Sequence, residues 1–285
     1  KESVDVEEIN DYLDNLRLYQ QSTKDKEPKD EKDKEIEKLR KENRELKKQM
    51  KEGTDGLKQK SINYLILALN AFIGNVNEIN IRRAIHYLKK SSELGNYYST
   101  YILGLLHESG YKYIKQDFNK ALNYYLKMDK QGDSNGINRL GLCYECGYGV
   151  HEDLSLAFDY YTDASKHMNC FSFSNLGRFY YNGIIVEKDI PKSLEYFQKA
   201  ADLGDDTALC EKGNCYMEGN GVEKDYKKAI EYYKKSADIG CSEALYYLGN
   251  CYFNGIGVEK KYSEAFKYFI SSHQLGYFNS CYKLA

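Results

Sequence analysis

KGNCYMEGNGVEKDYKKAIEYYKKSADIG, residues 212–240, and LGNCYFNGIGVEKKYSEAFKYFISSHQLG, residues 248–276, are one pattern written twice, 36 residues apart. Working outward, Gly104, Gly141, Gly177, Gly213 and Gly249 are spaced 37, 36, 36 and 36, and Ala68 stands 36 before the first. Six residues on, further glycines form a second column: Gly74, Gly110, Gly147, Gly183, Gly219 and Gly255. Gly149, Gly221 and Gly257 make a third, and Gly95, Gly132, Gly204, Gly240 and Gly276 a fourth. These columns absorb 19 of the 22 glycines, so glycine here punctuates a repeat. A fixed period of this length marks a solenoid, in which a unit cannot bury its apolar face without its neighbours.

Each period reads as two helices. In residues 206–241 the first runs through Ala208, Gly213 and Tyr216 and stops at Gly219-Asn220-Gly221-Val222, where glycine permits positive φ. Asp225 then offers an N-cap carboxylate, and Asp117, Asp153 and Asp189 share its column. The second helix sets Ala229, Tyr232 and Tyr233 on its inner face and ends at Gly240; Ala121/Tyr124/Tyr125 and Ala157/Tyr160/Tyr161 repeat that spacing. Pro191 falls in the first turn of a second helix, where a missing N–H does little harm.

A 36-residue helix pair carrying LGxxY, GxGV, Asp, KAxxYY and a closing ADxG resembles the Sel1-like repeat, a relative of the tetratricopeptide repeat. The resemblance covers about residues 61–285. It implies an all-α, right-handed α/α superhelical solenoid of about six helix-pair repeats, with copies at 61–96 (divergent), 97–133, 134–169, 170–205, 206–241 and 242–277 and the start of a truncated seventh at 278–285. Lys212 in place of the Leu of LG, Ile185 in place of a loop Gly and Met168 in place of a closing Gly depart from the pattern and suggest local loop variation. Some cysteine-rich members carry one disulfide per repeat. Cys143, Cys215 and Cys251 match one half of that bridge, but the partner column reads Ala200, Ser236 and Ser272, so the repeated bridge is absent and these thiols read as small buried apolar residues.

Ahead of the repeats, residues 1–60 hold 33 of the 84 charged residues. Val6, Ile9, Leu13 and Leu16 make one apolar stripe, a short amphipathic helix within 1–20; residues 21–33, with Pro28, read as a charged, disordered linker. Ile36, Leu39, Asn43, Leu46 and Met50 form a heptad seam, and 34–52 reads either as a parallel dimeric coiled coil or as a solvated single helix. The zipper-like KLRKENRELKKQ is not a DNA-binding basic region, because the segment before it mixes acids with bases and contains Pro28.

Forty-one basic and 43 acidic residues leave a net charge of -2, which excludes a general electrostatic drive toward nucleic acid or anionic membrane. No apolar run reaches the roughly 20 residues of a membrane-spanning helix. Eight scattered cysteines and no Asn-x-Ser/Thr sequon favour reduced thiols and a cytoplasmic location. The chain begins at Lys1 and stops at the LG site of a seventh copy, which reads as a fragment or a processed product.

Catalytic and metal signatures do not assemble. Cys143-Tyr144-Glu145-Cys146 is a CxxC without a second pair of ligands, late in a helix. The histidines at 86, 107, 151, 167 and 273 are scattered, and His107 stands in a column filled elsewhere by Tyr144, Tyr180, Tyr216 and Tyr252, so it should pack as a ring. The Gly219-x-Gly221 loop lacks the strand and GK[ST] of a phosphate loop. The expectation is a non-enzymatic scaffold without metal or cofactor. By analogy with tetratricopeptide geometry, a partner protein would meet positions one, four and five after the LG glycine on a concave face: Arg178, Tyr181 and Asn182; Asn214, Met217 and Glu218; Asn250, Phe253 and Asn254. Two alternatives stand beside it: the regulatory segment of a larger signalling enzyme such as a protein kinase, and a lumenal quality-control adaptor.

Overall fold

Helix follows helix, and from the pair Tyr97–Ser109 and Phe118–Asp129 onward each pair closes over one aromatic ring laid on a helical glycine. The computed structural model describes residues 57–73 and 78–284, together with Lys41. The expected helices of 1–20 and 34–52, the linker between them and Gly74 lie outside the described residues. Contacts divide the chain into two units, Lys1–Gln131 and Gly132–Ala285. In the first are α1 (Leu57–Ile73), α2 (Glu78–Glu93), α3 (Tyr97–Ser109) and α4 (Phe118–Asp129). In the second are α5 (Ser134–Cys146), α6 (Leu154–Lys166), α7 (Cys170–Asn182), α8 (Ile190–Asp202), α9 (Asp206–Glu218), α10 (Tyr226–Ile239), α11 (Ser242–Asn254), α12 (Tyr262–Gln274), a 3-10 turn at Phe278–Ser280 and α13 (Cys281–Leu284).

The ends obey the residues that stand there. Asp117, Asp153, Asp189 and Asp225 each accept a backbone N–H from the first turn of α4, α6, α8 and α10. Gly219 closes α9 in the left-handed conformation, φ 80°, returning its N–H to the Cys215 carbonyl. The two departures expected to alter their loops do not alter the backbone. Met168 and Ile185 adopt φ of 57° and 53°, the left-handed conformation that glycine supplies in the other repeats. The helix on either side fixes the turn, and a side chain is strained into it at about 1–2 kcal/mol.

Packing repeats with the same regularity. In unit 1, Ala68, Ile81, Ala84, Leu88 and Leu103 form the centre of the core. In unit 2, a ring from each second helix lies against the LG-column glycine of the first: Tyr161 on Gly141, Phe197 on Gly177, Tyr233 on Gly213, Phe269 on Gly249. A Cβ at those glycines would fall 2.5–2.6 Å from a ring carbon, so the close approach itself requires glycine. A second ring column stacks beside it. Tyr144 on Tyr160, Tyr180 on Tyr196 and Tyr216 on Tyr232 each have centroids 5.5 Å apart, and in unit 1 His107 stacks on Tyr124 at 5.9 Å with planes 9° apart, packing as the tyrosines do. Lys212 is buried where other repeats carry Leu; its amine donates to the Gln198 side-chain carbonyl and sits 4.6 Å from the Tyr232 ring centroid. Cys143, Cys215 and Cys251 are buried, while Ser236 and Ser272 in the column opposite donate to the carbonyls of Asp206 and Ser242.

Candidate functional site

The first helices of unit 2 carry the candidate residues at one register. Arg178 follows Gly177 on α7, Asn214 follows Gly213 on α9 and Asn250 follows Gly249 on α11, because a 36-residue period returns each position to the same face. The arrangement joins some of them across neighbouring repeats. The Arg178 guanidinium meets the Glu145 carboxylate of α5 at 2.7 Å, and the Tyr161 hydroxyl donates to the same carboxylate at 2.6 Å. Burial works against the Arg178 charge, but Glu145 outweighs it and holds the guanidinium above its ordinary range. Burial and then Glu145 push the Tyr161 phenol far up, so it stays protonated and donates.

A second cluster lies one repeat on. Asn220 Nδ2 donates to the Tyr181 hydroxyl at 2.6 Å and to Glu218 Oε2 at 2.5 Å, and the Tyr181 hydroxyl donates to Glu218 at 3.3 Å. Lys188 Nζ lies 5.6 Å from the Tyr181 ring centroid. Tyr181 is half-buried and its phenol is pushed up, by burial first. Beside it Glu211 is half-buried, its carboxyl raised by burial and by the nearby charges of Glu243 and Glu218 against a hydrogen bond from Asn214. The face therefore carries pre-ordered hydrogen-bonding groups and more than one carboxylate held in part out of water.

The nine expected residues take different roles. Asn182, Glu218, Phe253 and Asn254 are exposed. Phe253 is 39% exposed; Tyr262 meets it edge-on at 5.3 Å and Lys283 Nζ lies 5.7 Å from its ring centroid. Asn214 accepts from the Tyr233 hydroxyl at 2.7 Å and Met217 packs against the core of α9, α10 and α11, so both also serve the fold. Asn250 is half-buried, and its carbonyl accepts from the Asn254 amide. Glu145 and Asn220 were not among the candidates. The spacing rule applied one repeat earlier reaches Glu145, four after Gly141, whereas Asn220 sits in a loop that a rule for helices passes over. The seam residues Ile36, Leu39, Asn43, Leu46 and Met50 lie outside the described residues. Among the described residues there is no group of three or more His, Cys, Asp or Glu able to hold a metal ion, and no helix long and apolar enough to cross a membrane.

Comparison with known proteins gives this geometry a context. A family model described as Sel1 repeat matches residues 73–96, 98–133, 134–167, 174–205, 208–241 and 242–277. Among solved structures, a Sel1 repeat protein from Oxalobacter formigenes is 26% identical, with a TM-score of 0.62, over 71% of this chain and 82% of that one. The protein c5321 of uropathogenic Escherichia coli, described as a protective antigen displaying an SLR fold, is also 26% identical at a TM-score of 0.62; the match covers 85% of this chain and half the length of that one. An immunity protein from Pseudomonas aeruginosa, 20% identical with a TM-score of 0.59 over 79% of this chain and 85% of that one, shares the fold. The search of curated proteins returned no match.

Proposed function

The chain belongs to the Sel1 repeat family, whose members generally mediate protein–protein interaction on a scaffold that is typically non-catalytic, and from that premise we propose that it is a non-enzymatic adaptor holding a partner protein against the first-helix face of α7, α9 and α11. One observation carries the reading. Arg178, Asn214 and Asn250 recur at one register on that face, and the bonds of Arg178 to Glu145 and of Tyr181 to Glu218 and Asn220 cross from repeat to repeat. Groups already ordered lose little entropy on binding, and a part-exposed ring such as Phe253 beside amides suits a peptide backbone flanked by apolar side chains. In this reading Tyr181 and Phe253 supply apolar contact, Asn182, Asn214, Asn250 and Asn254 bond backbone, Met217 adapts to shape, and Arg178 and Glu218 set charge. We place the adaptor in the cytoplasm, in keeping with eight scattered cysteines and no Asn-x-Ser/Thr sequon.

Photo-crosslinking tests the face directly. A benzophenone amino acid at Asn182 should link to a partner, whereas the same probe at exposed Lys234 of a second helix should not. Replacing Tyr181 and Phe253 together with Ala should weaken partner capture about tenfold or more with helical content unchanged. Cross-linking from Lys234 and not from Asn182 would move the site to the second helices.

A further inference from the structure

At two places in unit 2 the residue three before the LG-column glycine meets the residue that precedes the next repeat's first helix, 31 positions on. At Ser174 and Asp205 the contact is a hydrogen bond, Oγ donating to Oδ2 at 2.5 Å. At Tyr246 and Tyr277 two rings lie with centroids 5.2 Å apart. Between these pairs, at the same register, stand Cys210 and Cys241, and no other two cysteines of the chain are so placed. Both are buried, with 2% and 7% of their surface exposed, in one apolar cluster with Tyr233 and Ala244.

We infer that Cys210 and Cys241 are an oxidation site: a paired dithiol between repeats that a small-molecule disulfide, such as oxidised glutathione, converts into a bridge fastening α9 to the cap of α11. The hydrogen bond shared by the two thiols favours the proton on Cys210; it lowers Cys241 to about 7 against its burial and, with burial, raises Cys210. Cys241, the more exposed of the two, is the entry point. Its thiolate attacks one sulfur of the small disulfide, the S–S bond breaks, and one small thiolate leaves, so that Cys241 carries a mixed disulfide. The Cys210 sulfur then attacks the Cys241 sulfur and expels the second small thiolate. Two protein thiols are oxidised, one small disulfide is reduced to two thiols, and those thiols take up the two protons.

Equilibrating the native full chain with rising ratios of oxidised to reduced glutathione, then trapping thiols by acid quench and alkylation, tests this by peptide mass mapping without reductant. The expected product is a loss of about 2 Da with the peptides of Cys210 and Cys241 linked, at ratios where Cys143, Cys215 and Cys251 remain thiols. The Cys210→Ser chain should stop at a glutathione adduct on Cys241. Recovery of both residues as thiols at the highest ratio, or as two separate adducts with no link, would overturn the inference.

Discussion

At the scale of single residues, glycine does two physically different things in this chain, and the difference is measurable. Gly204 sits at φ 88° with nothing within 4 Å of where a Cβ would be; Gly213 is helical, and its Cβ would fall 2.5 Å from Tyr233. Gly204→Ala should therefore lose about 1–2 kcal/mol, the penalty of a left-handed alanine. Gly213→Ala gains helix propensity but must displace a buried ring, so it should lose about 3 kcal/mol. Denaturant unfolding followed by circular dichroism separates them, and equal losses would show that the ring does not depend on the bare backbone. The sequence makes both columns visible as periods, since period needs only identity and spacing. Which glycine lies under which ring depends on how two helices cross, and spacing carries no crossing angle. The same holds for Met168 and Ile185: they read as breaks in a pattern, yet the flanking helices impose the glycine conformation on them.

At the scale of the helix, caps decide where each element begins, and one of them carries an electrostatic burden. The second-helix caps Asp117, Asp153, Asp189 and Asp225 are legible as a column of one residue type. The first-helix caps Asn96, Asp133, Asn169 and Asp205 alternate between two types and pass unnoticed. Asp205 is only 4% exposed, and burial raises its carboxyl above the ordinary value despite hydrogen bonds from Ser174, Ala208 and Thr207. A raised carboxyl favours the neutral form in the fold. Stability should then rise as pH falls through the folded pKa and be complete below the unfolded value of 3.8. Asp205→Asn keeps the capping oxygen without the buried charge, as Asn96 and Asn169 already do. It should stabilise the chain at pH 7 by on the order of 1 kcal/mol, with that advantage shrinking toward pH 4. Urea midpoints of both chains across this range check it; a variant less stable than the native chain at pH 7 would mean the carboxylate is the better cap. The proposed binding face is legible in the same partial way. Tyr181 and Phe253 follow from position, but the Arg178–Glu145, Tyr181–Glu218 and Tyr181–Asn220 contacts join residues 33–39 apart in sequence, which only the stacking of repeats brings together.

At the scale of the whole chain, the repeats explain most of the length and the charged first 60 residues explain the remainder. Repeat units contact their neighbours in sequence, so nothing in the repeat pattern calls for a second copy of the chain. Read as a parallel coiled coil, the heptad pattern at Ile36, Leu39, Asn43, Leu46 and Met50 would call for one, since a seam of that period is buried by a second helix. Glu35, Arg40, Glu42 and Lys47 fall at the flanking positions that pair charges between parallel helices, and Asn43 at a core position favours two strands in register over higher assemblies. Two and a half heptads are close to the shortest helix that is stable in water, so the association should be weak and depend on concentration. We therefore expect the full chain to pass from monomer to dimer as its concentration rises through the micromolar range, and a chain lacking residues 1–56 to remain monomeric. Asn43→Leu should tighten association while loosening the preference for two strands. Sedimentation equilibrium of the three chains decides the matter: the same mass for the full and shortened chains at every concentration would assign 34–52 to a solvated single helix, its stripe covered by nothing.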